Sequence, residues 1–371
     1  MEHTNVIRID GRPYQVDPDG TMFPVTEEVA RRIIELSAIV EGSFGSPTNG
    51  EAAPPIALRE RFDRALAFAS ELHRDHARKG TTIPYLAHLM GVTALVLEDG
   101  ANEDEAIAAL LHDAVEDRGG RETLEVIRRE FGDEVAGIVE GCTDTDVSPK
   151  PPWRTRKERY LAHLRSAPRS VVRVSLADKL HNARALTSDL GTHGEELWRR
   201  FNPESDQLWY YRSLARIFRD LDAGPMAARL EREVVELETL AIVSALKHLV
   251  AYGDRGDYAG HHVVIHDQST GYYIQFAVDR GGLFCEAVHN KYLDDDHQLT
   301  SDQVEELLAI GWNDPSYPGQ NFYCIFQPAS DEDYRHIVGL VRGAFESVYR
   351  IPSTRRPVLV TSWSRRPLGQ D

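Results

Sequence analysis

The sequence predicts a multidomain chain: an all-α helical domain followed by a small α+β domain with an antiparallel sheet. Three observations predict it. From about Ile56 to Ala223, apolar residues recur at helical spacing and the breaks fall at Gly and Pro clusters, with no alternating run of any length. Beyond that stretch, HHVVIHD (261–267), YYIQFAVD (272–279) and LFCEAVHN (283–290) read as strands, punctuated by STG and RGG as in a meander. A length of 371 residues accommodates two domains and a small appendage.

Composition narrows the function classes. The chain is 42% hydrophobic and 27% charged with mean hydropathy -0.40, which excludes wholesale disorder and collagen-like repeats. No apolar run approaches the ~18 residues of a membrane span. A formal net charge of -17 disfavours bulk nucleic acid and anionic lipid as partners. Cys142, Cys285 and Cys324 are an odd number without CxxC spacing, so neither a disulfide framework nor a structural zinc site is expected. With an N-terminus lacking a basic start and an apolar core, they point to a reducing cytoplasm.

The elements follow in order. In residues 1–55, Val6–Ile9 and Tyr14–Val16 suit a hairpin around Gly11. Thr26 suits a helix N-cap before Glu27 and Glu28, and Gly45–Pro55 reads as a linker. Residues 56–224 form the helical domain. Pro225 is a good first-turn residue for a connecting helix over 225–240. Residues 241–366 hold the three strands, a helix near 303–310 capped by Thr300 or Ser301, a strand at 321–327, and a helix from about Asp331 to Tyr349.

The chemistry concentrates in three helical segments. IAALLHDAVED (107–117) carries a buried stripe at Ile107, Leu110, Leu111, Ala114 and Val115, with His112, Asp113 and Glu116 opposite it. Taken alone, a solvated polar face would look the same. VVRVSLADKL (171–180) places Asp178 in an apolar context, where an ionised carboxylate needs a cation or hydrogen bonds. A capping or core Asp fits that pattern too. HARKGTTIPYLAH (76–88) starts a helix at Pro84 with His88 one turn in. Together the segments propose one metal site from His88, His112, Asp113 and Asp178. Two imidazoles and two carboxylates suit a borderline or hard divalent ion such as Mn²⁺. Glu116 and Asp117, a turn further on, would stand beside the ion's water and take its proton or order it for attack.

These segments resemble the HD phosphohydrolase superfamily, and within it the hydrolase domain of the RelA/SpoT proteins and the small alarmone hydrolases of the Mesh1 type. The matching stretches run from about Ala65 to Phe218: HARKG, PYLAH, ALLHDAVED, FGDEVAGIVEGCTD, SVVRVSLADKLHNARAL and FNPESDQLWYYRSLARIF. The helical domain is therefore expected to be an HD-type hydrolase domain. The resemblance implies metal ligands at His88, His112, Asp113 and Asp178 and a catalytic carboxylate pair at Glu116 and Asp117. It implies substrate contacts at Arg78, Lys79 and Asn182, with Tyr211 and Arg212 in a region that closes over the nucleotide. Leu89 stands where the family has proline. Nothing after Ala223 resembles the synthetase half of the long RelA/SpoT proteins, which implies degradation of an alarmone and not synthesis.

The implied reaction is Mn²⁺-dependent release of pyrophosphate from the 3′ position of guanosine tetra- or pentaphosphate in the bacterial stringent response. Two alternatives stand beside it: an HD phosphohydrolase on a related nucleotide such as the adenosine 3′-pyrophosphates, and an alarmone-binding sensor or antitoxin-like protein. The C-terminal segments YYIQF, CEAVHNKYL, LLAIGWNDP, NFYCIF and AFESVYRI resemble type III secretion chaperone-like domains, which implies a protein partner or self-association.

Overall fold

In a computed structural model, the described residues are 5–9, 12–16, 22–24, 57–145, 149–202, 205–253, 260–315, 320–352 and 357–361. The chain divides into two compact units, 1–55 and 56–371. In the first, β1 (Asn5–Ile9), β2 (Arg12–Val16) and β3 (Met22–Pro24) form an antiparallel sheet in that order. The β1–β2 hairpin is the expected one, and β3 adds a strand that its three residues had not announced. The expected helix after Thr26 and the 45–55 linker lie outside the described residues.

The second unit opens with helices Glu60–Leu72, Tyr85–Glu98, Glu103–Leu111 and Ala114–Asp117. Gly120–Phe131, Asp133–Cys142, Trp153–Leu164, Arg169–His193 and Gln207–Asp220 follow. The Glu103–Leu111 helix lies in the interior. Asn102 and Glu105 close its N-terminus as a capping box, and every residue from Glu105 to Leu111 is buried. Glu105 can be buried because Arg173 reaches it at 2.7 Å while also donating to Asp99 at 2.9 Å. An all-round buried helix corrects the amphipathic reading of this segment: the side of the wheel that carries His112 faces the interior as well.

A second correction matters more. The segment 107–117 is not one helix. It breaks after Leu111, with Asp113 at φ -97 and ψ 0 before a short turn of helix at Ala114–Asp117. The connecting helix is also longer than expected and runs from Pro225 to Tyr252. It packs on the 169–193 and 207–220 helices and, further along, on the C-terminal sheet.

That sheet has the order β7-β6-β5-β4-β8, antiparallel throughout, from His262–His266 (β4), Tyr273–Asp279 (β5), Gly282–Ala287 (β6), Phe322–Phe326 (β7) and Val358–Thr361 (β8). Period-two alternation sets its register: Val263, Phe276, Cys285 and Cys324 are paired across four strands and all buried. Helices Ser301–Ala309, capped by Thr300, and Asp331–Gly343, capped by Ser330, complete this α+β part. A π turn at Ala344–Val348 extends the second helix. Strand β8 was not expected.

Candidate metal centre

Four side chains converge from two helices and one helix break. His88 lies one turn into the 85–98 helix, and Asp178 is near the middle of the 169–193 helix. His112 and Asp113 occupy the break, with Asp113 at φ -97 and ψ 0. His88 Nε2 is 3.3 Å from Asp178 Oδ1 and 3.5 Å from Asp113 Oδ2. His112 Nε2 is 3.0 Å from Asp113 Oδ2 and 3.5 Å from Asp178 Oδ1. One ligand atom from each residue falls within 4.8 Å of all the others.

The supporting hydrogen bonds set the imidazoles in the tautomer that a cation needs. The Nδ1–H of His112 donates to the Ala109 carbonyl at 2.8 Å, which leaves the Nε2 lone pair facing the centre. His88 Nδ1 meets His181 Nδ1 at 2.9 Å, and Arg78 Nη1 meets the same His181 atom at 3.1 Å. Arginine only donates, so His181 Nδ1 accepts and His88 Nδ1 carries the proton. The Nε2 atoms of His88 and His112 are buried, facing the Asp113 and Asp178 carboxylates without a well-aligned hydrogen bond. An orphaned buried nitrogen is costly in a protein interior; two of them aimed beside two carboxylates fit a divalent cation with nitrogen and oxygen ligands.

Burial opposes charge on Asp113, but His112 and His88 outweigh it and hold its carboxyl well below the usual range. Burial is likewise outweighed at Asp178 by Lys179, 2.5 Å from Oδ2, and by both histidines. His112, in turn, is pulled up by Asp113 and Asp178 against its burial, so without a cation it holds a proton. Tyr85 donates to Asp113 Oδ2 at 2.5 Å, and Asn182 Nδ2 donates to Asp178 Oδ1 at 2.5 Å.

Beside the cluster, Asp117 is pushed up to about 6 by burial and by the charges of Asp113 and Glu116. His76 Nδ1 lies 3.9 Å from its Oδ2, and the His76 ring stacks on Tyr85 at 4.0 Å. Glu116 is held by Lys150 at 2.8 Å.

The residues expected around a substrate divide. Arg78 donates to Asn182 Oδ1 at 3.0 Å, which ties it through Asn182 to Asp178. Lys79 is exposed, with its ammonium 5.8 Å from the centre of the Phe201 ring. Gly80 turns the chain there at φ +74, against the Arg200 side chain. Buried Tyr211 feels Lys179, Asp178 and Arg78 electrostatically, although burial dominates and raises its hydroxyl above the ordinary range. Arg212 goes elsewhere: it pairs with Glu238 on the 225–252 helix.

His181, Tyr85 and Lys179 were not expected as site residues. His181 sits between Asp178 and Asn182, and the signal for it was on the neighbouring helix: a Cβ at Gly91 would stand 2.4 Å from His181 Nε2. Glycine there is what admits the ring.

Comparison with known proteins places this arrangement. Residues 65–210 match the HD domain family. Over 125 residues the chain is 39% identical to the guanosine-3′,5′-bis(diphosphate) 3′-pyrophosphohydrolase MESH1 of Xenopus tropicalis, which covers 33% of this chain and 67% of that protein. The chain belongs to the HD-domain family. Its HD domain contains His88, His112, Asp113 and Asp178, whereas Tyr211 and Arg212 fall just past the matched residues. The guanosine-3′,5′-bis(diphosphate) 3′-pyrophosphohydrolase of Aquifex aeolicus is 35% identical over 127 residues, 34% of this chain and only 18% of that longer protein. The solved metazoan orthologue of SpoT, described as hydrolysing ppGpp, is 28% identical; the match covers 50% of this chain and 96% of that one at a TM-score of 0.39. Beyond the HD domain, residues 243–356 match the family described as T3SS (YopN, CesT) and YbjN peptide-binding chaperone 3.

Proposed function

We propose that this chain is a metal-dependent 3′-pyrophosphohydrolase of guanosine 3′,5′-bis(diphosphate)-type nucleotides. The observation that carries the reading is the pair of orphaned imidazole nitrogens facing two ionised carboxylates inside an HD domain. The pyrophosphohydrolase names of the frog and Aquifex relatives support the substrate class. His88, His112, Asp113 and Asp178 would hold the ion, and Mn²⁺ is the ion proposed because the set mixes nitrogen with oxygen. A divalent ion there supplies Lewis-acid polarisation of a phosphoryl oxygen and a nucleophile available at neutral pH.

The chain's own groups do the rest. Asp117, with a carboxyl near 6, changes protonation in the range a general acid-base group requires. Glu116, paired with Lys150, would act beside it. Arg78, Lys79 and Asn182 would bind the nucleotide, and Arg78 brings local positive charge to an acidic chain. Tyr211 would line the nucleotide site, a role its charged neighbours support. Arg212, paired with Glu238, is left out of the contact set.

The chaperone-like match supports a second role, a protein partner or self-association through the C-terminal part. The three free cysteines fit a cytoplasmic setting, and no described helix is long and apolar enough to cross a membrane.

Purified protein with Mn²⁺ and a panel of guanosine and adenosine 3′-pyrophosphates tests the reading. Pyrophosphate release that His112→Ala abolishes is expected, and tight binding without turnover would favour a sensor. Release unchanged in His112→Ala would sink the site.

A further inference from the structure

A cavity of about 420 Å³ is lined by the 225–252 helix and the C-terminal part. Its volume lies within the roughly 300–1,000 Å³ of small-molecule sites. Val235 and Ile242 of that helix, Ile265 of β4, and Val338, Val341 and Phe345 of the last helix and its π turn supply apolar walls. Close-packed interiors leave few voids of this size, and water gains little against such walls.

The charges around the cavity are unequally matched. Glu231 pairs with Arg219 at 2.9 Å, and Glu238 pairs with Arg212. Arg342 instead donates only to a hydroxyl, Thr239 Oγ1 at 2.9 Å, and among the described residues neither Arg342 nor Arg232 has a carboxylate partner. Glu346 sits exposed at the rim. A pocket with an apolar body and a half-buried guanidinium that lacks its anion suits an amphipathic anion.

We propose that this cavity binds a small amphipathic carboxylate, with its alkyl body between Val235, Val338 and Phe345 and its head on Arg342. The site is separate from the metal centre and independent of the proposed hydrolysis.

Calorimetric titration of the full chain with decanoate, below its micelle threshold, tests this. Saturable one-to-one binding is expected, with a negative heat-capacity change from apolar burial. Arg342→Met should weaken it about tenfold, the scale of one charge-assisted hydrogen bond, and 1-decanol should bind wild type weaker by about the same factor. Val338→Trp, which fills the cavity, should abolish binding; Ile242→Phe serves where circular dichroism shows that the tryptophan variant does not fold. No saturable binding to wild type, equal affinity in a folded cavity-filling variant, or decanol as tight as decanoate would each overturn the proposal.

Discussion

His88 and Asp178 stand ninety positions apart in sequence, and the Nε2 of one lies 3.3 Å from the Oδ1 of the other. Only long-range packing of the 85–98 helix on the 169–193 helix brings them together. The cluster is thus a property of the assembled fold, and replacing one member should remove the cation without removing the helices. His112→Ala is expected to lose stoichiometric Mn²⁺ binding by calorimetry and to retain the wild-type far-ultraviolet circular dichroism spectrum.

Cation binding should depend steeply on pH. Without an ion, His112 holds its proton above the ordinary 6.5, because Asp113 and Asp178 outweigh its burial. An entering ion must displace that proton, so affinity rises with pH, approaching about tenfold per unit while the imidazole stays protonated. Titrations in buffers of different ionisation enthalpy should report about one proton released per ion; none released would contradict the assignment.

Asp117→Asn should trade activity for stability. Loss of a general acid-base group lowers turnover by about 10²–10⁴-fold. The folded carboxyl titrates near 6 against 3.8 ordinarily, so the folded state binds more protons between those values and stability falls as pH rises through that window. The variant should therefore be more stable than wild type at pH 8, by about 1–2 kcal/mol after discounting for partial exposure, and no more stable at pH 3.5. Urea unfolding at both pH values measures this.

Gly91→Ala should injure the centre from a distance. The added Cβ would meet His181 Nε2 at 2.4 Å, with Cδ2 at 2.5 Å, and must push the ring off His88 and Arg78. Disturbing a residue that orients a ligand typically costs about 10–100-fold in metal affinity. Thermal unfolding with and without Mn²⁺ should show a smaller ion-induced shift than wild type.

Arg173→Met tests the interior ion network. It strands Glu105, whose side chain is 7% exposed, and Asp99. Removing one partner of a buried pair costs about 3–5 kcal/mol. Chemical denaturation should reveal a loss of that order, while Mn²⁺ affinity of the folded fraction is unchanged.

The four positions of the candidate cluster were legible only together: Asp178 in an apolar run, His112 and Asp113 between alanines and leucines, and His88 a turn after Pro84 each fit a plainer role alone. The helical and strand segments were legible from period, with boundaries drifting where neighbours decide. The break at His112–Asp113 was not legible, since Ile107–Asp117 keeps an unbroken helical stripe and only the converging side chains reveal the turn. His181 needed knowledge of which helix lies against it, and Gly91 carries that information only once the two are adjacent. Tyr211 and Arg212 diverge because residues one apart on a helix point about 100° apart: Tyr211 feels the charges of the cluster, and its neighbour reaches Glu238. Strand β8 is four residues long and depends on pairing with β4, ninety-odd positions earlier.

The 28-residue helix Pro225–Tyr252 is shared property. Leu230 and Leu237, Leu246 and Leu249 are all buried along it, and it touches the 169–193 helix on one side and β4, β5 and the 331–343 helix on the other. A nick or a gene break anywhere within it would strip lining from two interiors in one stroke. The helical domain and the sheet are therefore expected to lose their packing together, and a lesion in this helix destabilises both.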